Sequence, residues 1–331
     1  MPLEYSITYT AENTYENWVN DAHWQFLIIP QKNDNQDFIG IEFSNSLNVP
    51  TEFSLNGYGF QTIRISPKQK FKEISFEAHF TLIKKEVNPF DFMPDEDVSK
   101  DFERLDQLDF KVDFEAFLKP TRFTHLPEKN RDAFILDTDK SIFENLQALN
   151  LWTYTHIYFK TDVTDVDTLL DEIIEKRHGV CQDFTHLFCA LARRNGIPTR
   201  YVSGYLHQGN GFFGDSQMHA WAEAFIPQIG WVGFDPTNNL LANTNHIKIA
   251  HGKDYNDCSP LRGVVYTTGK NETIHTVKVL AEKLPENERR SNQQQDQGQN
   301  QQKQGQQQQS QRQSSQQQSQ QQQSQQQQSQ H

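Results

Sequence analysis

Gly179-Val180-Cys181-Gln182-Asp183-Phe184-Thr185-His186-Leu187-Phe188 opens the stretch that decides the fold, and it runs on through Cys189-Ala190-Leu191-Ala192-Arg193-Arg194-Asn195-Gly196-Ile197-Pro198. Phe184, Leu187, Phe188, Leu191 and Ala192 recur at the spacing of one apolar helical face. Asn195-Gly196 supplies a left-handed terminus, Arg193 and Arg194 complement the helix dipole, and Pro198 prevents continuation. The glycine turn at Gly179 therefore places Cys181 at a helix N-terminus. Unpaired N–H groups there stabilise a thiolate, the nucleophilic form of cysteine, and can donate to an oxyanion.

Downstream, Arg200 to Leu206 reads as a strand, followed by a Gly/Asn-rich loop and then Met218-His219-Ala220-Trp221-Ala222-Glu223-Ala224-Phe225. Strict alternation puts His219, Trp221, Glu223 and Phe225 on one face and the alanines on the other, the pattern of a strand packed closely against a neighbour. A turn at Pro227-Gln228-Ile229-Gly230 leads into Trp231-Val232-Gly233-Phe234-Asp235-Pro236-Thr237, so the two runs pair as an antiparallel hairpin. Pairing about the centre of that turn makes His219 and Asp235 near-opposite or diagonal neighbours. A helix-terminal Cys, a His and an Asp supply nucleophile, general base and orienting carboxylate, the three roles of nucleophilic acyl transfer.

The passages GVCQDFTHLFCALARRNGIPTRYVSGYL, HAWAEAFIPQIGWVGFDPTN and HIKIAHGKDYNDCSPLRGV resemble the bacterial transglutaminase-like family, papain-like cysteine enzymes with Cys, His and Asp in this order. The resemblance is dense from about Asn150 to Val279 and fainter at the front, where QFLIIPQKNDNQ and its following strands resemble the β-rich domain that precedes the family's catalytic core. It implies Cys181 as nucleophile, His219 as base and Asp235 as orienting acid. It implies action on an amide or peptide bond through a thioester, but it leaves the acyl acceptor open between water and an amine. Hydrolysis, by a peptidase or amidase, is the first expectation. A protein-glutamine transferase that cross-links is the alternative, and a non-catalytic protein-binding scaffold is the rival from another class.

Outside that stretch, Leu3 to about Phe92 alternates in short runs, with Ile74, Phe76, Ala78, Phe80 and Leu82 as a half-buried strand. Five or so strands without a convincing helix favour an antiparallel sandwich or barrel. Helical spacing appears at Ser141 to Tyr158 and Asp167 to Lys176. The expected fold is α+β: a β-rich N-terminal domain (1–90), a connector (91–140), a papain-like core whose Cys-bearing helix packs on an antiparallel sheet (141–284), and a disordered Gln/Ser-rich tail (285–331). The tail has almost no apolar residue to bury. Its glutamines also suggest a tethered acyl donor at high effective concentration, against the blander reading of a solubilising tail.

The 331 residues carry 43 acidic and 31 basic side chains, a net charge of −12, which argues against a nucleic-acid partner. With 24 Phe, 10 Tyr and 5 Trp the chain has the material for real cores. No apolar run approaches the roughly 20 residues of a membrane span, and the start lacks a basic-then-apolar secretory pattern. Three cysteines without a pairing pattern do not resemble a disulfide framework, so a reducing, cytoplasmic setting is expected. The lack of a long apolar run predicts no membrane association, and a protein or peptide substrate is what the family resemblance implies.

The sequence has no HExxH or CxxC element, so neither a metal nor a cofactor is expected. Cys189 reads as a core residue, Cys258 as a polar-loop thiol, and Trp221 and Trp231 as core or cleft wall. Asp183 reads as a structural residue of the helix start, and Asp254, Tyr255 and Arg262 as a structural polar cluster. The Cys181 N–H is one oxyanion donor; the second is left unassigned, since the Gln182 side chain follows the thiol immediately and need not point at it.

Overall fold

The computed structural model describes residues 2–92, 98–161, 163–207 and 217–283. The tail and most of the Gly/Asn-rich loop lie outside the described residues. Contacts divide the chain into Met1–Glu282 and Lys283–His331, and every element that positions the site falls in the first unit. The fold is mixed α/β with mostly antiparallel sheets.

Six strands come first: β1 (Leu3–Val19), β2 (Asp21–Phe26), β3 (Gln36–Asn45), β4 (Thr51–Leu55), β5 (Gln61–Ile65) and β6 (Phe71–Lys84). Their period-2 pattern is realised directly. Ile74, Phe76, Ala78, Phe80 and Leu82 are all buried, and β6 runs antiparallel to β1 with Phe80 opposite Ile7 and Ala78 opposite Tyr9. Helices and the remaining strands follow: α1 (Val98–Asp106), α2 (Leu108–Asp113), α3 (Glu115–Leu118), α4 (Ile142–His156), β7 (Tyr158–Phe159), α5 (Leu170–Lys176), β8 (His178–Gly179), α6 (Cys181–Arg194), β9 (Thr199–Leu206), β10 (His219–Ile226), β11 (Gly230–Asp235), β12 (Leu240–Leu241), β13 (His246–Gly252), α7 (Tyr255–Cys258), β14 (Leu261–Tyr266) and β15 (Asn271–Lys283).

Two four-stranded sheets, β15-β1-β6-β3 and β14-β2-β5-β4, face each other. Phe76 of the first packs on Trp24 and Phe26 of the second, with ring centroids 5.4 and 4.8 Å apart, so one apolar core lies between the layers. Strands β14 and β15, which the sequence reading grouped with the 141–284 core, pair instead within these layers: Leu261 lies opposite Phe26, and β15 lies beside β1. A 17-residue β1 paired only with β6 would leave a row of backbone groups unpaired, and β15 covers that edge. No local signal in the sequence announces a partner more than 200 residues away.

The third main sheet has the order β12-β11-β10-β9-β13, and α6 packs across β10 and β9. Its apolar side, with Phe184, Leu187, Phe188 and Leu191 fully buried, meets Ala222 and Ala224 in a second core. The small alanines on β10 let helix and sheet approach closely, as their alternation predicts. Gly196 takes φ +78° and the Ile197 N–H returns to the Ala192 carbonyl at 3.0 Å, which ends α6 where expected. Arg193 does more than complement the dipole: buried, it donates to the carbonyls of Thr199 and Lys253 and to the Thr124 hydroxyl, tying the connector to the helix. Helix α4 is capped by Ser141, whose Oγ accepts from the Glu144 N–H while the Glu144 carboxylate accepts from the Ser141 N–H. Helix α5 starts at Leu170, later than the Asp167 expected, because Asp165 and Thr168 form a turn in which the Asp165 N–H donates to the Thr168 hydroxyl.

Candidate active site

The start of α6 is built around Asp183. Its buried Oδ2 accepts from the Val180 N–H at 2.8 Å and the Thr164 hydroxyl at 2.7 Å, so it caps the helix from its third residue. A Cβ on Gly179 would lie 2.6 Å from Asp183 Oδ2, which is why a glycine precedes the cap. Burial raises the Asp183 carboxyl to about 6, with the Val180 and Thr164 bonds opposing. This agrees with a structural role. Gln182 donates through Nε2 to the Val166 carbonyl at 3.4 Å, so its amide is committed to the α5 approach.

Cys181, the first residue of α6, is partly exposed, and its Sγ lies 4.0 Å from the carbonyl oxygen of Met218, the residue before His219. The thiol thus sits at the mouth of β10. The hairpin turn holds Gln228 at φ 63° and Gly230 at φ 99°, and the register places Phe234 opposite Ala222 and Gly230 opposite Ile226. His219 and Asp235 are therefore diagonal across the hairpin. Their side chains converge nonetheless: His219 Nε2 is 2.8 Å from Asp235 Oδ2, with both side chains fully buried.

Asp235 serves two purposes at once. Its Oδ1 accepts from the N–H groups of Thr237 and Asn238 at 3.1 and 3.3 Å, shaping the turn, while Oδ2 faces the imidazole. Oδ2 also meets Asn238 Nδ2 at 2.8 Å and His246 Nε2 at 3.2 Å. Burial disfavours charge on both members of the His219–Asp235 pair, but their mutual attraction and hydrogen bond win: the His219 pKa is raised, Cys181 contributing, and the Asp235 pKa is lowered. The proton is held on Nε2 by Asp235. Buried Nδ1 of His219 has no hydrogen-bond partner among the described residues and is the nitrogen left for the thiol.

Sequence reasoning singled out Cys181, His219 and Asp235, and the structure brings the three together. It did not single out His246 as a site residue. The available signal was a second histidine opening a strand, β13, that pairs with the same β9 that flanks His219. His186, five residues past the thiol, accepts from the Tyr255 N–H at 3.2 Å and stacks on Phe123, so it belongs to the core. Cys189 is buried as expected. Cys258 is also fully buried, not a polar-loop thiol, with Sγ 3.8 Å from the Tyr201 carbonyl, because α7 folds back onto β9. Trp221 is buried beside both His219 and His246, with ring centroids 6.2 and 5.2 Å away. Gly204 makes room for it, since a Cβ there would come within 2.4 Å of the indole.

Among the described residues, His219, Asp235 and His246 are the one group whose ligand atoms cluster within 4.8 Å, as a metal site requires. Their spacing is that of hydrogen bonds from ring N–H groups to a carboxylate. A metal would have to displace both protons that now hold Asp235.

Residues 132–236 match the family model described as the Transglutaminase-like superfamily. The chain carries a transglutaminase-like domain, and this match contains all three of Cys181, His219 and Asp235. A solved structure of a candidate cysteine protease from Cytophaga hutchinsonii superposes with a TM-score of 0.68 at 21% identity, covering 86% of this chain and 92% of that one, and so shares the fold. An uncharacterized protein of Mycobacterium tuberculosis is 37% identical over 144 residues, 41% of this chain and 46% of the relative, so the match spans about half of that relative's length. A protein-glutamine gamma-glutamyltransferase of Pseudomonas aeruginosa is 32% identical over 84 residues, 24% of this chain and 13% of that protein.

Proposed function

We propose that the protein is a cysteine-dependent acyl-transfer enzyme acting on amide or peptide bonds of a protein or peptide substrate, and that it is a hydrolase. The observation that carries the reading is the convergence at one point of the Cys181 thiol on a helix N-terminus and a buried His219 whose far nitrogen is held by Asp235. In this reading His219 accepts the thiol proton at Nδ1. The Cys181 thiolate attacks the carbonyl carbon, and the Cys181 N–H faces the developing oxyanion. His219 then delivers its proton to the departing amine, leaving a thioester. Water, deprotonated by the same imidazole, attacks the thioester and releases the acid and the free thiol.

Hydrolysis is favoured because water needs no second acceptor site. The likeness to a glutamyltransferase over 84 residues supports the alternative, in which an amine resolves the thioester. Three free cysteines support a reducing, cytoplasmic setting as the working assignment. The test is to incubate wild type and Cys181→Ala with a mixed peptide library and a primary amine, then weigh the products intact. New termini or deamidated glutamines absent with the variant support the hydrolase, and amine adducts support the transferase. A product list identical for the two proteins removes the enzyme reading in favour of a scaffold.

A further inference from the structure

His246 is buried at the first residue of β13, and both of its ring nitrogens are engaged. Nδ1 lies 3.2 Å from the Asn243 backbone N–H, which can only donate, and 3.4 Å from Asn243 Oδ1, which already accepts from the Asn245 N–H at 2.9 Å. The shorter contact, together with the carboxylate facing the other nitrogen, puts the ring proton on Nε2. Nε2 is 3.2 Å from Asp235 Oδ2, the oxygen that also holds His219. Burial first, with His219 and Lys84 nearby, lowers the His246 pKa against the pull of Asp235, keeping the ring a neutral donor.

The strand carrying His246 is itself held from the β-rich layers. Gln36 of β3 accepts from the Lys248 N–H at 2.7 Å and donates to the Lys248 carbonyl at 2.9 Å, imitating a strand partner. Lys84, at the end of β6 and buried, donates to the His246 carbonyl and reaches Gln36 Oε1 at 3.3 Å. A continuous chain of polar contacts thus runs from β3 and β6 to the oxygen that orients His219.

We propose that His246 is a positioning residue for the Cys181 chemistry: its Nε2–H fixes the Asp235 carboxylate in the rotation that meets His219, with Gln36 and Lys84 fixing His246. The proposal rests on the functional reading above. Without this donor, Asp235 Oδ2 has Asn238 as its remaining second anchor and the imidazole loses its alignment with the thiol.

The experiment measures iodoacetamide alkylation of Cys181, read by mass spectrometry of its peptide, at pH 6 and pH 9 in the full chain. Wild type is compared with His219→Ala, His246→Met, His246→Leu and His246→Gln, with near-ultraviolet circular dichroism as the check on folding. Gln places an amide N–H where Nε2–H stood; Met and Leu do not. The expected result is about a tenfold loss of rate at pH 6 for the folded apolar variants, by analogy with the loss seen when the hydrogen-bond partner that orients a metal-ligating side chain is removed. Their pH 9 to pH 6 rate ratio rises toward that of His219→Ala, and His246→Gln stays within about twofold of wild type. Wild-type rates in the apolar variants, or a Gln variant as slow as they are, overturn the role of the donor. Failure of both apolar variants to fold while Gln restores neither fold nor rate overturns it too. If His219→Ala is alkylated as fast as wild type, the functional reading itself fails, which is a different result.

Discussion

His219 and Asp235 stand diagonally across the β10–β11 hairpin, yet their side chains meet at 2.8 Å inside the protein, out of reach of solvent. Direct opposition would place the two side chains side by side. The diagonal leaves the ring free to keep Nε2 on Asp235 with Nδ1 left over for the thiol, and Asp235 reaches back because its other oxygen is pinned by the turn at Thr237 and Asn238.

From this geometry Asp235→Asn is expected to keep the turn but reverse the hydrogen bond, since an amide nitrogen cannot accept from Nε2–H. Turnover of any Cys181-dependent substrate should fall on the order of 10³–10⁴-fold, with KM changed far less. Steady-state kinetics on the substrate found in the library experiment decides it; a loss below about tenfold would remove Asp235 from the orienting role.

The helix start offers a stability test. Asp183→Ala removes the acceptor of the Val180 N–H and the Thr164 hydroxyl, and should cost about 1–2 kcal/mol. Gly179→Ala forces a Cβ into Asp183 and should cost about 1–3 kcal/mol. Because both changes disturb the same cap, the double variant should lose less than the two singles together, and urea denaturation of all three reads the coupling. Strict additivity would mean that Gly179 acts elsewhere.

Lys84 predicts a pH dependence. Burial lowers its pKa from 10.5 to about 7, so between those values the unfolded chain binds the proton and the folded chain does not. Stability therefore rises with pH across that window, and below pH 7 the full penalty of a buried charge remains. Lys84→Met has no such proton, so wild type should gain stability relative to the variant between pH 7 and about pH 9.5. Parallel curves by urea denaturation at the two pH values would show that Lys84 keeps its charge in the fold.

A last prediction concerns Glu223. Its Oε2 accepts from Arg200 and from Lys248, each at 2.6 Å, and these two cations outweigh burial to lower the carboxyl to about 2. Glu223→Gln leaves two cations facing each other behind the β10 strand and should cost about 3–5 kcal/mol, detectable as a large fall in the thermal midpoint. A change within about 0.5 kcal/mol would mean the cluster is open to water.

The sequence by itself determined the local elements that carry the chemistry. Helix α6 was legible from the spacing of Phe184, Leu187, Phe188 and Leu191, and from the stop at Gly196 and Pro198. The β10–β11 hairpin was legible from alternation and a turn, because periodicity and turn chemistry act between near neighbours in the chain. What only the tertiary structure decided depends on pairing between distant segments. The return of β14 and β15 to the first strands, the burial of Cys258 under β9, and the convergence of His246 with His219 on one oxygen of Asp235 all follow from sheet order. Backbone hydrogen bonds between strands carry almost no residue code, so sheet order and register come from the core that the whole chain buries, and the second histidine reaches its carboxylate only once that core has formed.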